Sequence, residues 1–299
     1  MKILVTGGAG FIGSNLALKL ESLGHEVIVV DDFRSSKKDN LAGFTGKVVY
    51  GDVAHMDFST LGSFDVIFHE AAITDTLVED EDAMMDVNVN GFRKILFYAE
   101  KCGAKLIYAS SAGVYGNNPA PNKETDEMNP LNAYAKSKAE IDKIAKNYEG
   151  SIPLLVGLRY FNVYGPRESY KKHSASMVYQ LAQQMKSGKR PRIFKFGEQK
   201  RDFIYVKDIV EANLKAMEAR KNCIVNIGTG KPESFNTMIK VLNEVLGKNL
   251  EPDYFDNPYG FYQNLTCADM SKAREKIGFT AKFSFAAGIK DYFRENGIA

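Results

Sequence analysis

Short runs of apolar, mostly β-branched residues alternate with amphipathic stretches along the first half of the chain. The runs occupy residues 3–5, 27–30, 48–50, 66–68, 106–108 and 154–158. Each is predicted to be a strand buried on both faces, because helices cover both sides of a parallel sheet. Residues 11–23, 82–101 and 132–148 carry apolar positions three and four apart, which predicts helices. The alternation predicts right-handed βαβ crossovers in an α/β, doubly wound parallel sheet.

The order of elements becomes less regular after residue 165. Helices are predicted at residues 174–186, 207–220, 235–246 and 285–296, and strands at 193–196 and 203–206. This pattern indicates a smaller α/β lobe interleaved with the last strands of the sheet. The predicted first domain is residues 1–164 plus about 203–231, and the predicted second lobe is about 165–202 plus 232–299.

Composition and charge narrow the class of protein. Of 299 residues, 44% are hydrophobic and 25% are charged, which is typical of a globular chain and excludes a disordered or collagen-like one. The net charge of +2 creates no field that attracts nucleic acid or an anionic membrane, so a small-molecule partner is expected.

The cysteines and the apolar segments bear on the compartment. The three cysteines form no CxxC and no Cys/His cluster, which predicts neither disulfides nor a metal site and favours the reducing cytoplasm. The apolar start of the chain runs into a glycine-rich segment instead of a cleavage site, and no stretch of about 18 apolar residues predicts a membrane-spanning helix.

A glycine pattern, Gly7, Gly10 and Gly13, follows the first predicted strand and opens the first predicted helix. Glycine there permits a tight turn, close approach of the backbone to a diphosphate and close packing of the helix on the strand. The alternative is a glycine-rich turn that binds nothing. The flanking strand and helix, with an acidic residue at the end of the second strand, favour a Rossmann-like dinucleotide site.

Acidic residues after the second predicted strand indicate which dinucleotide is bound. Asp31 is placed where a carboxylate can accept hydrogen bonds from the adenosine ribose and would repel a 2′-phosphate. Asp32 adds to this repulsion, whereas Arg34, Lys37 and Lys38 could neutralise a 2′-phosphate if their loop folds back. NAD or NADP is therefore predicted as cofactor, with NAD favoured.

Residues after the third and fourth predicted strands are expected to line the cofactor. Asp52 and Val53 can meet the adenine edge, although an aspartate there can equally cap a helix. Ala71 and Ala72 let the backbone pass close to the cofactor, or reflect tight packing alone. The predicted cofactor-binding set is Gly7, Gly10, Phe11, Ile12, Gly13, Asp31, Asp32, Lys38, Asp52, Val53, Ala71, Ala72, Asn88, Tyr134 and Lys138.

A tyrosine and a lysine four positions apart, Tyr134 and Lys138, share one face of the helix predicted at 132–148. An ammonium close to a phenol favours the phenolate, so the pKa of Tyr134 is expected to fall from about 10 toward neutrality, making the phenol a usable base. Ser110 and Ser111 end the preceding predicted strand, where a hydroxyl can hold a substrate oxygen. Together these groups predict a hydride-transfer site.

The sequence resembles the extended short-chain dehydrogenase/reductase superfamily, in which the glycine pattern, the serine and the YxxxK pair belong to one site. The likeness continues through residues 109–116, 130–134, 159–166 and 201–206. The resemblance implies that Ser111 is the catalytic hydroxyl and that Ser110 packs behind it. It also implies a nucleotide-diphosphate sugar as substrate, covered by the smaller lobe, with Asn162 near its phosphates.

Several segments are more similar to the ADP-L-glycero-D-manno-heptose 6-epimerases than to the UDP-hexose 4-epimerases. These segments are residues 67–71, 84–86, 164–171, 175–176, 228–235 and 262–263. The likeness implies that Tyr262 contacts the substrate. Residues 73–76 and Phe261 depart from the pattern of the heptose enzymes at positions where substrate contacts are implied.

Lys171 distinguishes the two kinds of epimerase. Inversion at a carbon outside the sugar ring needs a proton donor on each face, and Tyr134 and Lys171 can serve the two epimers. The resemblance assigns the second role to Lys171; the alternative is a solvated lysine in the run 171–173. Arg201 is interpreted as a diphosphate ligand, because a guanidinium matches phosphate oxygens, with a salt bridge as the alternative.

The predicted function is an NAD(P)-dependent nucleotide-sugar epimerase, an isomerase that oxidises its substrate transiently and returns the hydride. The alternatives are a UDP-glucose/galactose 4-epimerase, another nucleotide-sugar reductase or dehydratase, and, in a different class, a non-catalytic dinucleotide-sensing module. The predicted helices 82–101 and 132–148 carry apolar residues beyond one stripe, which favours a homo-oligomer, although burial within one subunit would give the same pattern.

Overall fold

Seven parallel strands form the central sheet in the part of the chain that the computed structural model describes, residues 1–75, 80–258 and 263–295. Six short strands pair outside the central sheet, and the strands of the described residues are together β1 (Lys2–Thr6), β2 (Glu26–Asp31), β3 (Lys47–Tyr50), β4 (Val66–His69), β5 (Lys105–Ser111), β6 (Leu155–Tyr160), β7 (Asn162–Tyr164), β8 (Arg192–Phe194), β9 (Lys200–Arg201), β10 (Phe203–Tyr205), β11 (Cys223–Ile227), β12 (Glu233–Ser234) and β13 (Asp253–Phe255). The sheet order is β11-β6-β5-β4-β1-β2-β3. The predicted α/β, doubly wound fold is confirmed.

Helices pack on the sheet and build the second lobe. They are α1 (Phe11–Ser22), α2 (Glu81–Met85), α3 (Gly91–Cys102), α4 (Ala133–Lys146), α5 (Met177–Lys186), α6 (Val206–Ala216), α7 (Phe235–Leu246), α8 (Ser271–Ile277) and α9 (Phe285–Glu295). A π turn, Asp86–Asn90, joins α2 to α3, so the single helix predicted at 82–101 is interrupted. Within the described ranges, no helix is both long and apolar enough to cross a membrane.

Alternate residues of the central strands contribute to two different apolar cores. In β1, Ile3 and Val5 belong to the core that contains Leu16 of α1, while Leu4 belongs to the core that contains Phe92 of α3. Successive side chains of a strand point to opposite faces, so a strand covered on both sides must be apolar at every position. This explains the unbroken apolar runs in the sequence.

The edge strand β3 departs from the prediction. Full burial is expected for residues 48–50, but Val48 is exposed and Tyr50 is 77% exposed. β3 ends the sheet and pairs with β2 alone. An edge strand has no neighbour on one side and tolerates exposed positions, so the prediction of burial on both faces is wrong here.

The strand order reverses between β1 and β4. From β1 the chain proceeds to β2 and β3 on one side, and from β4 it proceeds to β5, β6 and β11 on the other. In open α/β sheets a crevice forms at the carboxyl ends of the strands where the connections diverge, and ligands bind there. Gly7 follows β1 and Glu70 follows β4, so both residues lie at this crevice.

The second lobe has its own apolar core beside the crevice, to which Val178 of α5, Phe203 of β10 and Ile289 of α9 contribute. The strands predicted at 193–196 and 203–206 are β8 and β10, which pair with β13 and β7 and not with the central sheet. β11 then returns to the central sheet beside β6. The chain therefore leaves the sheet and comes back; the predicted division into two domains stays a prediction.

Candidate active site

A cavity of about 970 Å³ lies at the carboxyl edge of the sheet, against the second lobe. Most of the predicted site residues are in its wall. They are Gly7, Gly10, Phe11, Ile12, Gly13, Asp31, Asp32, Val53, Ala71, Ala72, Ser111, Tyr134, Lys138, Asn162, Lys171 and Arg201. Lys38, Asp52 and Asn88 are not in the wall, and Tyr262 lies outside the described residues. Tertiary structure thus brings together predicted site residues that are up to 194 positions apart in sequence, from Gly7 to Arg201.

The glycine turn, formed by Gly7, Gly10 and Gly13, has no room for side chains at its first and last positions. Gly7 has a φ of +67°, and a Cβ there would lie 2.6 Å from the backbone nitrogen of Ala71. A Cβ on Gly13 would lie 2.2 Å from the carbonyl oxygen of Gly7. The turn therefore holds the start of α1 directly against the ends of β1 and β4.

The acidic residues at the end of β2 already have hydrogen-bond or ion-pair partners within the protein. Asp31 is buried and accepts hydrogen bonds from the backbone of Ala9 and Phe33 and from the hydroxyl of Ser36. Its carboxylate therefore ties the glycine turn to the loop that follows β2.

Asp32 and Asp52 flank the guanidinium of Arg34, each with a nitrogen-oxygen distance of 2.5 Å. The charge of Arg34 is thereby balanced by two carboxylates. Asp52 also accepts the backbone N–H of Ala54. No helix begins at Asp52, which closes a turn, so the helix-cap alternative is wrong as well, and it is Val53 that lines the cavity.

Asn88 supports the cavity from behind. It lies in the π turn between α2 and α3 and is fully buried. Its amide accepts from the backbone N–H of Ile73 at 2.8 Å and donates to the hydroxyl of Ser137 at 2.9 Å. Asn88 therefore joins α4 to the segment after β4, whose members Ala71 and Ile73 line the cavity.

The predicted serine, tyrosine and lysine meet in the cavity wall. Asn132 caps α4 by accepting the backbone N–H of Ala135, so the helix begins where both Tyr134 and Lys138 face the end of β5. The hydroxyl of Ser111 forms a hydrogen bond with the phenol of Tyr134. Lys138 is buried, donates to the carbonyl of Ala109 at 2.8 Å and has its Nζ 5.9 Å from the centre of the Tyr134 ring.

The expected fall in the pKa of Tyr134 is wrong for this structure. Burial raises that pKa, the hydrogen bond with Ser111 opposes the rise and the charge of Glu70 adds to it. Burial also lowers the pKa of Lys138 to about 8, against the opposing effect of Glu70 and Asp142. Desolvation is the largest cause of both pKa shifts and favours the neutral form of each group, which the spacing in sequence could not reveal.

Glu70 is a wall residue that the sequence analysis did not assign to the site. Tyr160 donates its hydroxyl to Glu70 at 2.9 Å, and Asn213 donates to Tyr160 at 2.8 Å. Burial raises the pKa of Glu70 to about 7, although the hydrogen bond from Tyr160 and the charge of Lys138 oppose the rise. A glutamate directly after a strand that enters the crevice was the available sequence signal.

Glu70→Gln is expected to stabilise the protein at pH 8 and to have little effect at pH 5. The folded pKa of about 7 lies above the ordinary value of 4.5, so the stability that the carboxyl contributes is present below pH 4.5 and is lost as pH rises through 7. The loss is about 2 kcal/mol, less than the shift alone implies because the cavity admits water.

The measurement is the free energy of unfolding in urea at both pH values, with the exposed Glu149→Gln as the matched control. An equal effect of Glu70→Gln at pH 5 and pH 8 would contradict this assignment of the buried charge.

The Lys171 loop, residues 165–176, enters the cavity from the second lobe. Lys171 is half-buried in the wall, while Lys172 is exposed. Burial lowers the pKa of Lys171, and the charges of Glu168 and Asp75 oppose this. His173 pairs with Asp75 at 2.9 Å. Lys171 thus differs from Lys172, and it lines the same cavity as Tyr134, as His173 also does.

The predicted substrate residues Asn162 and Arg201 lie on the lobe side of the cavity. The amide of Asn162 donates to the hydroxyl of Thr266 at 3.1 Å and to the carbonyl of Asp202 at 3.3 Å. Arg201 donates to the carbonyl of Lys200 at 2.9 Å. These bonds hold both side chains in the cavity wall.

The cavity wall fits a dinucleotide at the glycine turn. A Cβ on Gly10 would lie only 3.0 Å from the carbonyl oxygen of Gly7, and Gly10, at the N-cap position of α1, has no side chain to cap the helix. The N–H of Phe11 donates to the hydroxyl of Tyr170, and the other backbone N–H groups of the first helical turn are available to an anion. At the other side of the wall, the buried hydroxyl of Ser110 has no hydrogen-bond partner within the described ranges, which suits a further polar ligand atom.

Known proteins are similar to this chain in sequence and in fold. Residues 3–228 match the profile of the family described as NAD dependent epimerase/dehydratase family. The chain is 39% identical to the ADP-L-glycero-D-manno-heptose-6-epimerase of Brachyspira hyodysenteriae, over 97% of this chain and 96% of the relative.

Solved structures agree with the sequence matches. The ADP-L-glycero-D-manno-heptose-6-epimerase of Helicobacter pylori has a TM-score of 0.93 and 40% identity, covering 100% of this chain and 96% of that one. The UDP-glucose 4-epimerase of Thermotoga maritima, solved with UDP-glucose, has a TM-score of 0.89 and 34% identity, covering 99% of each chain. From its sequence, its fold and the residues in its cavity, this chain belongs to the NAD dependent epimerase/dehydratase family.

Proposed function

We propose that this chain is an ADP-L-glycero-D-manno-heptose 6-epimerase. The observation that carries the proposal is that Tyr134 of α4 and Lys171 of its loop, two ionisable groups from different lobes, line one cavity. Inversion at a carbon outside the sugar ring needs an acid or base on each face of that carbon. The similarity to the two heptose epimerases supports this substrate.

Tyr134, Ser111 and Lys138 are proposed to act on one face of the substrate carbon. The hydroxyl of Ser111 holds the substrate oxygen, and Tyr134, as the phenolate, accepts the proton of the substrate hydroxyl. Because burial raises the pKa of Tyr134, the phenol depends on the hydrogen bond from Ser111 and on the nearby ammonium of Lys138 to lose its own proton. NAD, held at the turn of Gly7, Gly10 and Gly13, would supply the acceptor and donor of the hydride.

Lys171 is proposed to act on the opposite face. Its lowered pKa makes the ammonium a better proton donor than a solvated lysine, and the neutral amine a competent acceptor for the reverse direction. A 4-epimerase that turns the whole sugar over can use one tyrosine for both directions. The second ionisable group therefore favours inversion at the exocyclic carbon.

NAD is proposed as the cofactor in preference to NADP. Asp31 and Asp32 place negative charge where a 2′-phosphate would lie. The cation nearest to them, Arg34, is ion-paired with Asp32 and Asp52, and Lys38 is not in the cavity wall. The site therefore lacks the unbalanced positive charge that a 2′-phosphate requires.

Further proposals concern the substrate, the assembly and the compartment. Asn162 and Arg201 are proposed to bind the diphosphate of the substrate, and Tyr262, outside the described residues, is proposed to contact the substrate. A homo-oligomer is proposed to form through α3 and α4, since Phe97 of α3 is 58% exposed and Lys101 covers its ring.

The cysteines are free thiols, which supports a cytoplasmic reaction.

Proton NMR of purified protein with single epimers of ADP-heptose, without added cofactor, is the test. Both epimers are expected to reach the same equilibrium mixture, while UDP-glucose in a parallel sample stays unchanged. Conversion of UDP-glucose with inert ADP-heptose would replace the proposal with 4-epimerisation. Inversion of neither would remove it.

A further inference from the structure

The hydroxyl of Tyr170 lies over the glycine turn. It accepts a hydrogen bond from the backbone N–H of Phe11 at 2.7 Å, although the two residues are 159 positions apart in sequence. Phe11 is the first residue of α1, and a Cβ on Gly10 would lie 3.6 Å from the same hydroxyl. Tyr170 therefore reaches from the Lys171 loop to the backbone that receives the diphosphate in folds of this kind.

The Tyr170 hydroxyl retains a proton that it can donate. A phenol accepts and donates at once, and within the described ranges the Phe11 N–H is its one hydrogen-bond partner. Burial raises the pKa of Tyr170; the Phe11 N–H opposes the rise, and the charges of Asp31 and Glu168 add to it. The group is therefore a neutral phenol in the cavity wall at physiological pH, suited to donate to an anion.

Both ends of the Lys171 loop are anchored to one buried carboxylate. Glu168 accepts the backbone N–H of Gly165 at 3.0 Å and that of Ser176 at 2.6 Å. Tyr170 and Lys171 lie between these anchors. A contact made by Tyr170 therefore restrains the part of the loop that carries the Lys171 ammonium.

We propose that Tyr170 donates its hydroxyl proton to the diphosphate of the bound dinucleotide and thereby couples cofactor binding to the position of Lys171. The cofactor contact follows from the family and the geometry; its importance for Lys171 rests on the proposed function. A hydrogen bond to a charged phosphate oxygen is stronger than one between neutral groups, so the contact helps to retain the cofactor through a reaction with no net redox change.

Tyr170→Phe tests the contact by ligand binding alone. The full chain, freed of bound nucleotide, is titrated calorimetrically with ADP-ribose, which contains the diphosphate, and with adenosine, which lacks it. Tyr170→Phe is expected to weaken ADP-ribose binding about tenfold or more and to leave adenosine binding within about twofold. The fraction of NAD retained on the purified variant after gel filtration is expected to fall in parallel.

Tyr254→Phe is the matched control, because it removes an exposed hydroxyl bonded to Asn236 outside the cavity wall. It is expected to bind both ligands like the parent protein. Unchanged ADP-ribose affinity of Tyr170→Phe would overturn the proposal. Tighter binding would overturn it as well, because Tyr170 would then compete with the diphosphate for the Phe11 N–H.

Hydrogen exchange of residues 165–176 tests the coupling. ADP-ribose is expected to slow exchange in this segment of the parent protein and much less in Tyr170→Phe, with both proteins saturated. Equal slowing in both would overturn the link to Lys171. ADP-ribose is an ADP-sugar, as the proposed substrate is, so the titrations are repeated with NAD: weakened binding of both ligands to Tyr170→Phe is expected, and weakened binding of ADP-ribose alone would overturn the proposal. None of these measurements follows epimerisation, so their failure is distinguishable from failure of the proposed 6-epimerisation.

Discussion

Tyr134→Phe is expected to lower kcat for epimerisation by about 10²- to 10⁴-fold, the range that a positioned general acid or base contributes. The substitution removes the hydroxyl that bonds to Ser111 and leaves the ring beside Lys138. The fold is expected to persist, because the ring still fills the same place. Initial rates at saturating ADP-heptose, followed by proton NMR, measure the effect.

Tyr148→Phe provides the control for this substitution. Tyr148 follows α4 and is not in the cavity wall, so its loss is expected to change kcat by less than about twofold. If Tyr134→Phe retained full kcat, proton transfer would have to pass through another group, and the assignment of Tyr134 as the acid/base would fail.

Lys171→Met is expected to lower kcat by about 10²-fold or more in both directions. Methionine keeps an unbranched apolar side chain of similar reach and removes the ammonium. Because each direction needs a proton donor on one face and an acceptor on the other, loss of either group slows both epimers. Time courses started from each ADP-heptose epimer measure the two directions separately.

The neighbouring Lys172→Met is the matched control, since it removes the same charge from an exposed position of the same loop. It is expected to leave both rates within about twofold of the parent enzyme. Similar losses of rate in the two variants would show that the overall charge of the loop matters. Parent-like rates in Lys171→Met would show instead that Lys171 is a solvated lysine with no part in the reaction.

The fold was predictable where the local pattern and the tertiary environment agree. β1 is apolar at successive positions because helices cover it on both faces. The turn at the start of α1 has glycines because side chains cannot fit there. The same reasoning failed for β3, whose apolar residues lie at a sheet edge. Position in the sheet depends on the order of strands, which local periodicity does not contain.

The site was predictable where its members are close in sequence. Tyr134 and Lys138 share a face of α4 as their spacing predicts. The direction of the Tyr134 pKa was not predictable, because it depends on desolvation by the whole cavity and on Glu70, which follows a different strand. Tyr170 was missed for a related reason: nothing in its neighbourhood along the chain indicates contact with Phe11.

The amino-acid sequence by itself determined the parallel α/β architecture, the glycine turn and the Tyr134–Lys138 pair, because each can be recognised from residues that are near one another in the sequence. Only the tertiary structure decided how burial sets the charges of Tyr134, Lys138, Glu70 and Lys171, and how the Lys171 loop reaches the start of α1. Desolvation and long-range contact are properties of the assembled cavity, since they depend on every segment that surrounds a group.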